Sequence, residues 1–418
     1  MDWSFLIEGK DAICVSTDTR NLPEGCIFVA LKGETFDGNQ FALKALQQGA
    51  AMAVVDDENV YNAIMNAGEY SALLVENSLS ALQDLAREWR RQWGKRIIGI
   101  TGTNGKTTTK ELLAAVLNTK YKTHFTQGNL NNSIGVPLTL LQLTAKHELA
   151  IVEMGASHPG DIKELVEVAE PNCGLITNVG KAHLQGFGSF EGVMATKAEL
   201  YDYLLAHNGL IFRNADNPNL EQMHLSAQRS FSGSGLLAER SFSEAVLYKT
   251  GTMPEGTNLV GAYNSENIQA ALCVGEYFGI SREDGLAAIR AYVPSNNRSQ
   301  RMQTAHNTLI VDAYNANPTS MQAAINAFKG ETYILGAMRE LGDYSHTEHQ
   351  NIVNMLLERK ADTVLLVGDE YRETTAPYPI FSNVDELCEQ LKAHPITGCT
   401  ILIKGSRSNK LENVLPLL

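Results

Sequence analysis

Short apolar runs alternate along the 418-residue chain with glycine-bearing turns and with segments whose apolar residues recur every three or four positions. That alternation predicts strands and helices wound as layered, mostly parallel α/β sheets. In the first part, 27–31, 52–55 and 72–75 read as strands, with helical patterns at 40–49 and 78–93. A run at 97–100 reads as a buried strand, followed by a Gly/Thr turn and a helix through Leu117. Further strands are expected at 149–152 and from Leu175, and a helix restarts at 261–271. The stretch 208–258 is weakly patterned, with short strands and a polar loop. The last part has strand patterns at 308–311, 332–335, 363–367 and 400–403, with helices between them, as in a doubly wound sheet. The expected division is 1–95, 96–297 and 298–418, with 293–300 as the linker to the last unit.

Composition narrows the class. The chain is 44% hydrophobic and 19% charged and has no low-complexity tract, as expected for globular domains that bury their own cores. A net charge of −13 argues against nucleic acid or an anionic membrane as a general partner. An anionic substrate must instead find local clusters of Lys, Arg and backbone N–H. Six scattered cysteines with no C-x-x-C read as free thiols of a reducing compartment. No segment approaches the ~18 apolar residues of a membrane span, and no basic, then apolar, leader opens the chain. A cytoplasmic location is expected.

The chemistry gathers first at Gly102-Thr103-Asn104-Gly105-Lys106-Thr107-Thr108, between strand and helix. Strand, glycine loop, Lys-Thr and helix cradle phosphate. Loop N–H groups and the helix N-terminus favour an anion, Lys106 reaches the outer phosphates, and the Thr107 hydroxyl can ligate Mg²⁺. The loop is two residues tighter than the usual Gly-x4-Gly-Lys, because Ile100 stands where that pattern has glycine. This reads as a nucleotide site.

Other candidates are less specific. Asn129, Asn131 and Asn132, in the Gly/Asn-rich stretch 126–137, offer amides to a polar ligand or form a loop. Glu153 ends a strand of the same sheet, where α/β ligands bind, and can hold Mg²⁺ or face solvent. His183 follows another strand. Lys197, by its residues alone, reads as a solvated helical lysine. Asn264 and Asn267 share a helix face and either cap it or offer an amide to a base. Asp312 ends a strand before an Asn/Pro turn and suits a ribose or substrate contact. Lys404-Gly405-Ser406-Arg407-Ser408 is a basic turn that can receive an anion. The stretches 16–20 and 33–38 are turn chemistry or something more specific.

In this order, 102–108, Gly-Asn-Leu-Asn-Asn-Ser-Ile-Gly-Val-Pro (128–137), Glu-Met-Gly (153–155), Asn-Val-Gly-x-Ala-His-Leu (178–184), Asn-x-x-Asn (264–267) and Asp-Ala-Tyr-Asn-Ala-Asn-Pro (312–318) resemble the motif series of the Mur ligases. Segments 336–342 and 404–408 and the N-terminal Ser-x-Asp-x-Arg agree. The chain is most similar to the branch that adds D-Ala-D-Ala to a UDP-muramoyl peptide. The resemblance implies three α/β domains: a small one for the UDP-sugar, a central P-loop ATPase-type sheet and a C-terminal Rossmann-like domain. It implies ATP and Mg²⁺ as cofactors, UDP-N-acetylmuramoyl-tripeptide and D-alanyl-D-alanine as partners, and a monomer acting through an acyl phosphate in peptidoglycan precursor synthesis. Gly102 to Thr108 would hold the phosphates, with Lys106 catalytic. Thr107, Glu153, His183 and Lys197 would serve the metals, Lys197 as a carbamate. Asn267 would hold adenine, Arg298 phosphate and Asp312 ribose. Asp18, Arg20, Gly33, Glu34, Asp37, Asn129, Asn131 and Asn132, with Tyr314, Asn315 and Asn317, would contact the substrates.

The chain departs from the family pattern at Tyr263, at Ala337 and at 295–297, and Arg301 competes with Arg298 for the phosphate. Amino-acid addition of the MurE type, a folylpolyglutamate-synthase-like activity and an inactive nucleotide-binding scaffold are the alternatives. The N-terminal domain argues against the folate reading, and Lys106, Glu153, His183 and Lys197 together argue against the scaffold.

Overall fold

The computed structural model describes residues 2–232, 245–294 and 298–418; the 295–297 segment of the expected linker lies outside the described residues. Three sheets follow one another along the chain. The first holds β1 (Val15–Ser16), β2 (Ile27–Val29), β3 (Met52–Val55) and β4 (Ala72–Leu74), parallel and in that spatial order. The second holds β5 (Arg96–Thr101), β6 (Thr123–Phe125), β7 (Leu149–Glu153), β8 (Cys173–Ile176), β9 (Leu210–Asn214) and β10 (Val246–Tyr248). Its spatial order is β10-β9-β8-β5-β7-β6, parallel throughout. The third holds β11 (Gln300–Gln303), β12 (Thr308–Asp312), β13 (Thr332–Gly336), β14 (Thr363–Val367), β15 (Ile380–Phe381) and β16 (Thr400–Lys404). Its order is β11-β12-β16-β13-β14-β15, with β11 antiparallel.

Parallel strands must be covered on both faces, which is why they read as unbroken apolar runs. In β7, Ala150 and Val152 enter one core and Leu149 and Ile151 the other. Helices Ser78–Trp93, Asp161–Ala169 and Phe190–Ala206 cover the first face; Lys106–Leu117, Asn264–Tyr277 and Arg282–Ala291 cover the second.

The expectation that each unit buries its own core is corrected for the first two. Leu82, Leu85, Trp89 and Trp93 of the helix Ser78–Trp93 share one cluster with Ile27 and Val54 of the first sheet, Val152 of the second and Val136 of the helix Gly135–Leu141. The indoles fix the docking: Trp89 Nε1 donates to Leu143 O at 3.1 Å and Trp93 Nε1 to Thr144 O at 3.0 Å. Among the helices that escape the sequence reading are Glu58–Ala67 and Pro218–Ser232. In the second, Leu220, Met223 and Ala227 do form a buried stripe, but the residues between them are polar enough to hide it.

Candidate functional site

The carboxyl ends of β5, β7 and β8 meet the carboxyl ends of β12 and β16 across a cavity of about 880 Å³. At its floor, β5 runs into the loop 102–105, which is stapled to the turn after β8. Thr103 N donates to Asn178 O at 2.9 Å, Asn104 N to Asn178 Oδ1 at 3.0 Å, and Thr177 Oγ1 to Asn104 O at 2.6 Å. Gly105 has φ of 80°, and a Cβ there would meet Asn267 Oδ1 at 2.5 Å, so the loop needs glycine at this point. Lys106 opens the helix and folds its ammonium back onto Gly102 O (2.7 Å) and Thr103 O (3.1 Å). Burial pushes that ammonium down to about 8; Glu153 opposes the shift and Arg298 adds to it.

Glu153 is buried at the end of β7. Its Oε1 accepts from Thr107 Oγ1 at 3.2 Å and Asn131 Nδ2 at 2.8 Å, whereas Oε2 has no hydrogen-bond partner. Lys110, one turn beyond Lys106 and 1% exposed, approaches Oε2 at 3.8 Å and donates to Thr126 O at 2.6 Å. A buried carboxylate oxygen without a partner beside a threonine hydroxyl fits Mg²⁺, which takes one or two carboxylates and completes its shell with phosphate oxygens and water. Among the described residues no three His, Cys, Asp or Glu side chains form a ready cage.

Lys197 is not the solvated lysine its local sequence suggests. It is 2% exposed, its ammonium lies 5.5 Å from the centre of the Phe187 ring, and burial, reinforced by Lys106, pushes it down to about 7. His183 has φ of 50° and turns Nδ1 to the carboxylate of Glu340, a residue of the third sheet's loops that is itself left-handed at φ 61°. Burial holds His183 below its usual range against the pull of Glu340. Thr107 and Glu153 therefore meet, while His183 and Lys197 are near them without sharing a ligand set.

The opposite wall belongs to the last domain. Arg298 stacks on Tyr314 with its guanidinium 3.8 Å from the ring centre, and Arg407 approaches the same ring at 5.5 Å. Arg298 lines the cavity; Arg301, exposed on β11, does not. Asp312 accepts from Lys404 Nζ at 2.5 Å, and Lys404 also reaches Asn315 O at 3.2 Å. Asn317 caps the helix Pro318–Ala327 and pairs with Asn104 of the phosphate loop, Nδ2 to Oδ1 at 2.8 Å. Asn129, Asn131, Asn132, Tyr314 and Asn315 line the cavity.

Asn267 lines the cavity beside Gly105, its amide accepting from Thr109 Oγ1 at 3.1 Å and donating to Asn264 Oδ1 at 2.8 Å, which leaves one N–H for a ligand. Asp18, Arg20, Gly33, Glu34 and Asp37 are not brought into the cavity. Asp18 pairs with Arg20 at 2.6 Å on the surface, and Asp37 caps a turn through Asn39 N at 2.9 Å. The sequence reading gave no role to Lys110, Asn178 or Glu340, and it placed Lys404 in a basic turn for an anion, whereas its ammonium pairs with Asp312. Lys110 had one signal, its place one turn after Lys106; Asn178 and Glu340 lay inside quoted motifs without a role. At the departures, Tyr263 Oη bonds Ser299 Oγ at 2.6 Å and Ala337 is buried in the core.

Family models match in three segments: "Mur ligase family, catalytic domain" at 13–90, "Mur ligase middle domain" at 100–275 and "Mur ligase, glutamate ligase domain" at 297–407. The UDP-N-acetylmuramoyl-tripeptide–D-alanyl-D-alanine ligase of Bacillus subtilis (strain 168) is 36% identical, over 96% of this chain and 92% of that protein. Its namesake from Escherichia coli (strain K12) is 35% identical, over 99% and 95%. The structure of MurF ligase from Thermotoga maritima in complex with ADP superposes with a TM-score of 0.82 at 26% identity, covering 98% of each chain. That of MurF from Acinetobacter baumannii gives 0.80 at 28%, covering 96% and 92%. With its motifs gathered around one cleft and such relatives spanning nearly its whole length, the chain belongs to the Mur ligase family.

Proposed function

We propose that the protein is an ATP-dependent, ADP-forming amide ligase that joins D-alanyl-D-alanine to UDP-N-acetylmuramoyl-tripeptide in peptidoglycan precursor synthesis. The observation that carries the reading is one cleft in which the phosphate loop, Glu153 and His183 of the central domain face Arg298, Asp312 and Lys404 of the last one. The names of the relatives over nearly their full length select this step within the family.

A carboxylate is a poor electrophile with no leaving group. Transfer of the γ-phosphoryl group to it gives an acyl phosphate and ADP; the dipeptide amine then attacks the acyl carbon, and the tetrahedral intermediate expels phosphate. The protein's part is positioning and charge neutralisation. Loop 102–105 and the helix N-terminus cradle the phosphates, Lys106 and Arg298 offset charge on the transferring group, and Asp312 and the Tyr314 region hold the nucleotide and substrate from the opposite wall. Thr107 and Glu153 would hold one Mg²⁺, and His183 and Lys197 a second. The near-neutral, buried Lys197 amine suits addition of CO₂ to give an anionic carbamate ligand. When bound, Mg²⁺ supplies charge neutralisation on the phosphate oxygens. The docked C-terminal domain excludes water from the acyl phosphate. Asp18, Arg20, Gly33, Glu34 and Asp37 are assigned to the UDP-sugar end, beyond the cavity. The domain limits 1–95, 96–297 and 298–418, a monomeric state and a cytoplasmic location belong to the same proposal.

The test is phosphate release from ATP by purified protein with Mg²⁺ and UDP-muramoyl-tripeptide, with and without D-Ala-D-Ala. Release that requires both, with a product heavier by one dipeptide, is expected. Release supported only by UDP-muramoyl-dipeptide and a diamino acid would move the protein to the preceding amino-acid addition.

A further inference from the structure

Two side-chain-bearing residues in the left-handed backbone region meet in the cleft. His183, in the turn after β8, has φ of 50°, and Glu340, in the loop after β13, has φ of 61°. Such conformations are uncommon outside glycine and asparagine, and they persist where the surroundings impose them. Here the two loops pack on each other. Gln185 N donates to Glu340 O at 3.3 Å, and a Cβ added at Gly342 would lie 3.5 Å from Gln185 Cβ. This docking turns the Glu340 carboxylate onto His183 Nδ1. The Phe187 ring, 6.3 Å away and at 82°, meets the imidazole edge to face, and its centre also lies 5.5 Å from the Lys197 ammonium. The imidazole lines the cavity, and its Nε2 has no hydrogen-bond partner among the described residues.

An ionised carboxylate only accepts. Burial, helped by the ammonium groups of Lys106 and Lys197, holds His183 below its usual range against the pull of Glu340. A neutral imidazole carries one proton. Beside Glu340 that proton belongs on Nδ1, which leaves the lone pair on Nε2; without the carboxylate nothing selects this tautomer. A histidine that serves a metal is held in the same way, with a carboxylate on one ring nitrogen and the ion on the other. The orienting carboxylate here lies 157 residues further along the chain, in the last domain. The central domain alone has the histidine but not the group that aims it.

We propose that Glu340 is a positioning residue: when the last domain docks, it selects the Nδ1–H form of His183 and turns Nε2 to the cleft, so that the histidine becomes a competent ligand only in the closed molecule. The inference rests on the reading that His183 serves Mg²⁺ in this cleft, whereas the selection of the tautomer does not.

The first measurement is the ring-nitrogen spectrum of the full chain labelled in histidine, at about pH 8, where an imidazole is neutral. The His183 signals are assigned from His183→Gln. The natural chain should show the Nδ1–H tautomer. Glu340→Gln, whose amide can donate to Nδ1 as well as accept from it, should show both forms. Titration with Mn²⁺ in the presence of ADP, followed by electron paramagnetic resonance, should give a Kd raised roughly tenfold or more in Glu340→Gln, with the radius of gyration in X-ray scattering unchanged. In the phosphate-release assay kcat should fall by a similar factor while the KM for ATP stays within about twofold. Glu340→Asp keeps the carboxylate and should recover part of both losses. Pure Nδ1–H tautomer in Glu340→Gln, unchanged Mn²⁺ affinity, or a loss accompanied by a larger radius of gyration would each overturn the proposal, the last by reducing Glu340 to a docking contact. A natural chain that forms no amide would sink the proposed function instead, and the tautomer would still decide whether Glu340 orients His183.

Discussion

Lys106 shows how much one side chain does here. Its ammonium is held by two carbonyls of its own loop, Gly102 and Thr103, while burial keeps its pKa near 8. Its charge is therefore in place before phosphate arrives and costs little reorganisation on binding. Lys106→Ala should lower turnover by at least about 10²–10³-fold in the phosphate-release assay with the helical signal unchanged; substantial ligation by this variant would remove the lysine from the mechanism. The two neighbouring arginines separate in the same assay. Arg298→Ala should raise the KM for ATP roughly tenfold or more, whereas Arg301→Ala, exposed on β11 away from the cavity, should leave it within about twofold. Equal effects would mean that stacking on Tyr314 does not select the phosphate arginine. At this scale the sequence was readable where chemistry is local. Lys106, Thr107 and Glu153 sit at ends of predicted elements, and the structure brings them together. Lys197 was not readable, because its burial comes from the packing of its helix rather than from its neighbours in the chain. Asn267 was readable as a site residue, but its partners Thr109 and Asn264, which orient the amide, were not.

The phosphate site rests on elements whose stability is uneven. β6 is the edge strand of the central sheet, three residues long. Its His124 faces the helix Gly135–Leu141, with Nε2 3.0 Å from Thr139 O, and the ring of His147 lies 5.0 Å away. Burial first, then His147, depresses His124 to about 4. The sign of the pH effect follows. Above about pH 6.5 both folded and unfolded states carry a neutral ring. Between 6.5 and about 4 the unfolded chain takes up a proton that the folded state refuses. Stability therefore falls with pH across that window, by on the order of 1 kcal/mol per pH unit. His147, also depressed, adds to the same slope. In melts from pH 7 to pH 5, His124→Gln should lose less stability than the natural chain while keeping a donor for Thr139; parallel curves would show that the ring is protonated in the folded state. Element by element, the interior strands such as β3, β5, β7, β12 and β14 were legible from their apolar runs, since a buried parallel strand has nowhere to hide a polar residue, whereas the short edge strands β1, β6, β11 and β15 were not. The helix Ser78–Trp93 was legible from its helical pattern, and it ends on Gly94 in the left-handed conformation. Pro218–Ser232 was not, because its buried stripe of Leu220, Met223 and Ala227 is thin and set among polar residues.

The arrangement of the whole molecule is the part least written in the chain. The last domain touches the central one through Asn317 on Asn104, Thr319 Oγ1 accepting from Lys181 N at 3.0 Å, Glu340 at His183, and Lys181 Nζ on Glu348 at 2.7 Å. These partners are 138 or more residues apart, and no local pattern announces them. The Lys181–Glu348 pair is asymmetric: the Lys181 side chain is 53% exposed and that of Glu348 2%. A buried carboxylate that loses its counter-ion is penalised, and opening the domains offers Glu348 a way to be hydrated. Lys181→Met should therefore shift the balance toward open forms rather than unfold either domain. Discounted for the half-exposed lysine, about 1 kcal/mol or roughly fivefold in the closure equilibrium is expected. Three readouts should move together: a larger radius of gyration in X-ray scattering, a severalfold lower kcat/KM, and more phosphate released per amide formed, because water reaches the acyl phosphate when the cleft gapes. Lys181→Arg should restore all three. A variant that scatters like the natural chain and stays fully coupled would mean that the closed form is held by the other contacts between the domains, Asn104–Asn317, Lys181 N–Thr319 and His183–Glu340, with the ion pair contributing nothing to closure.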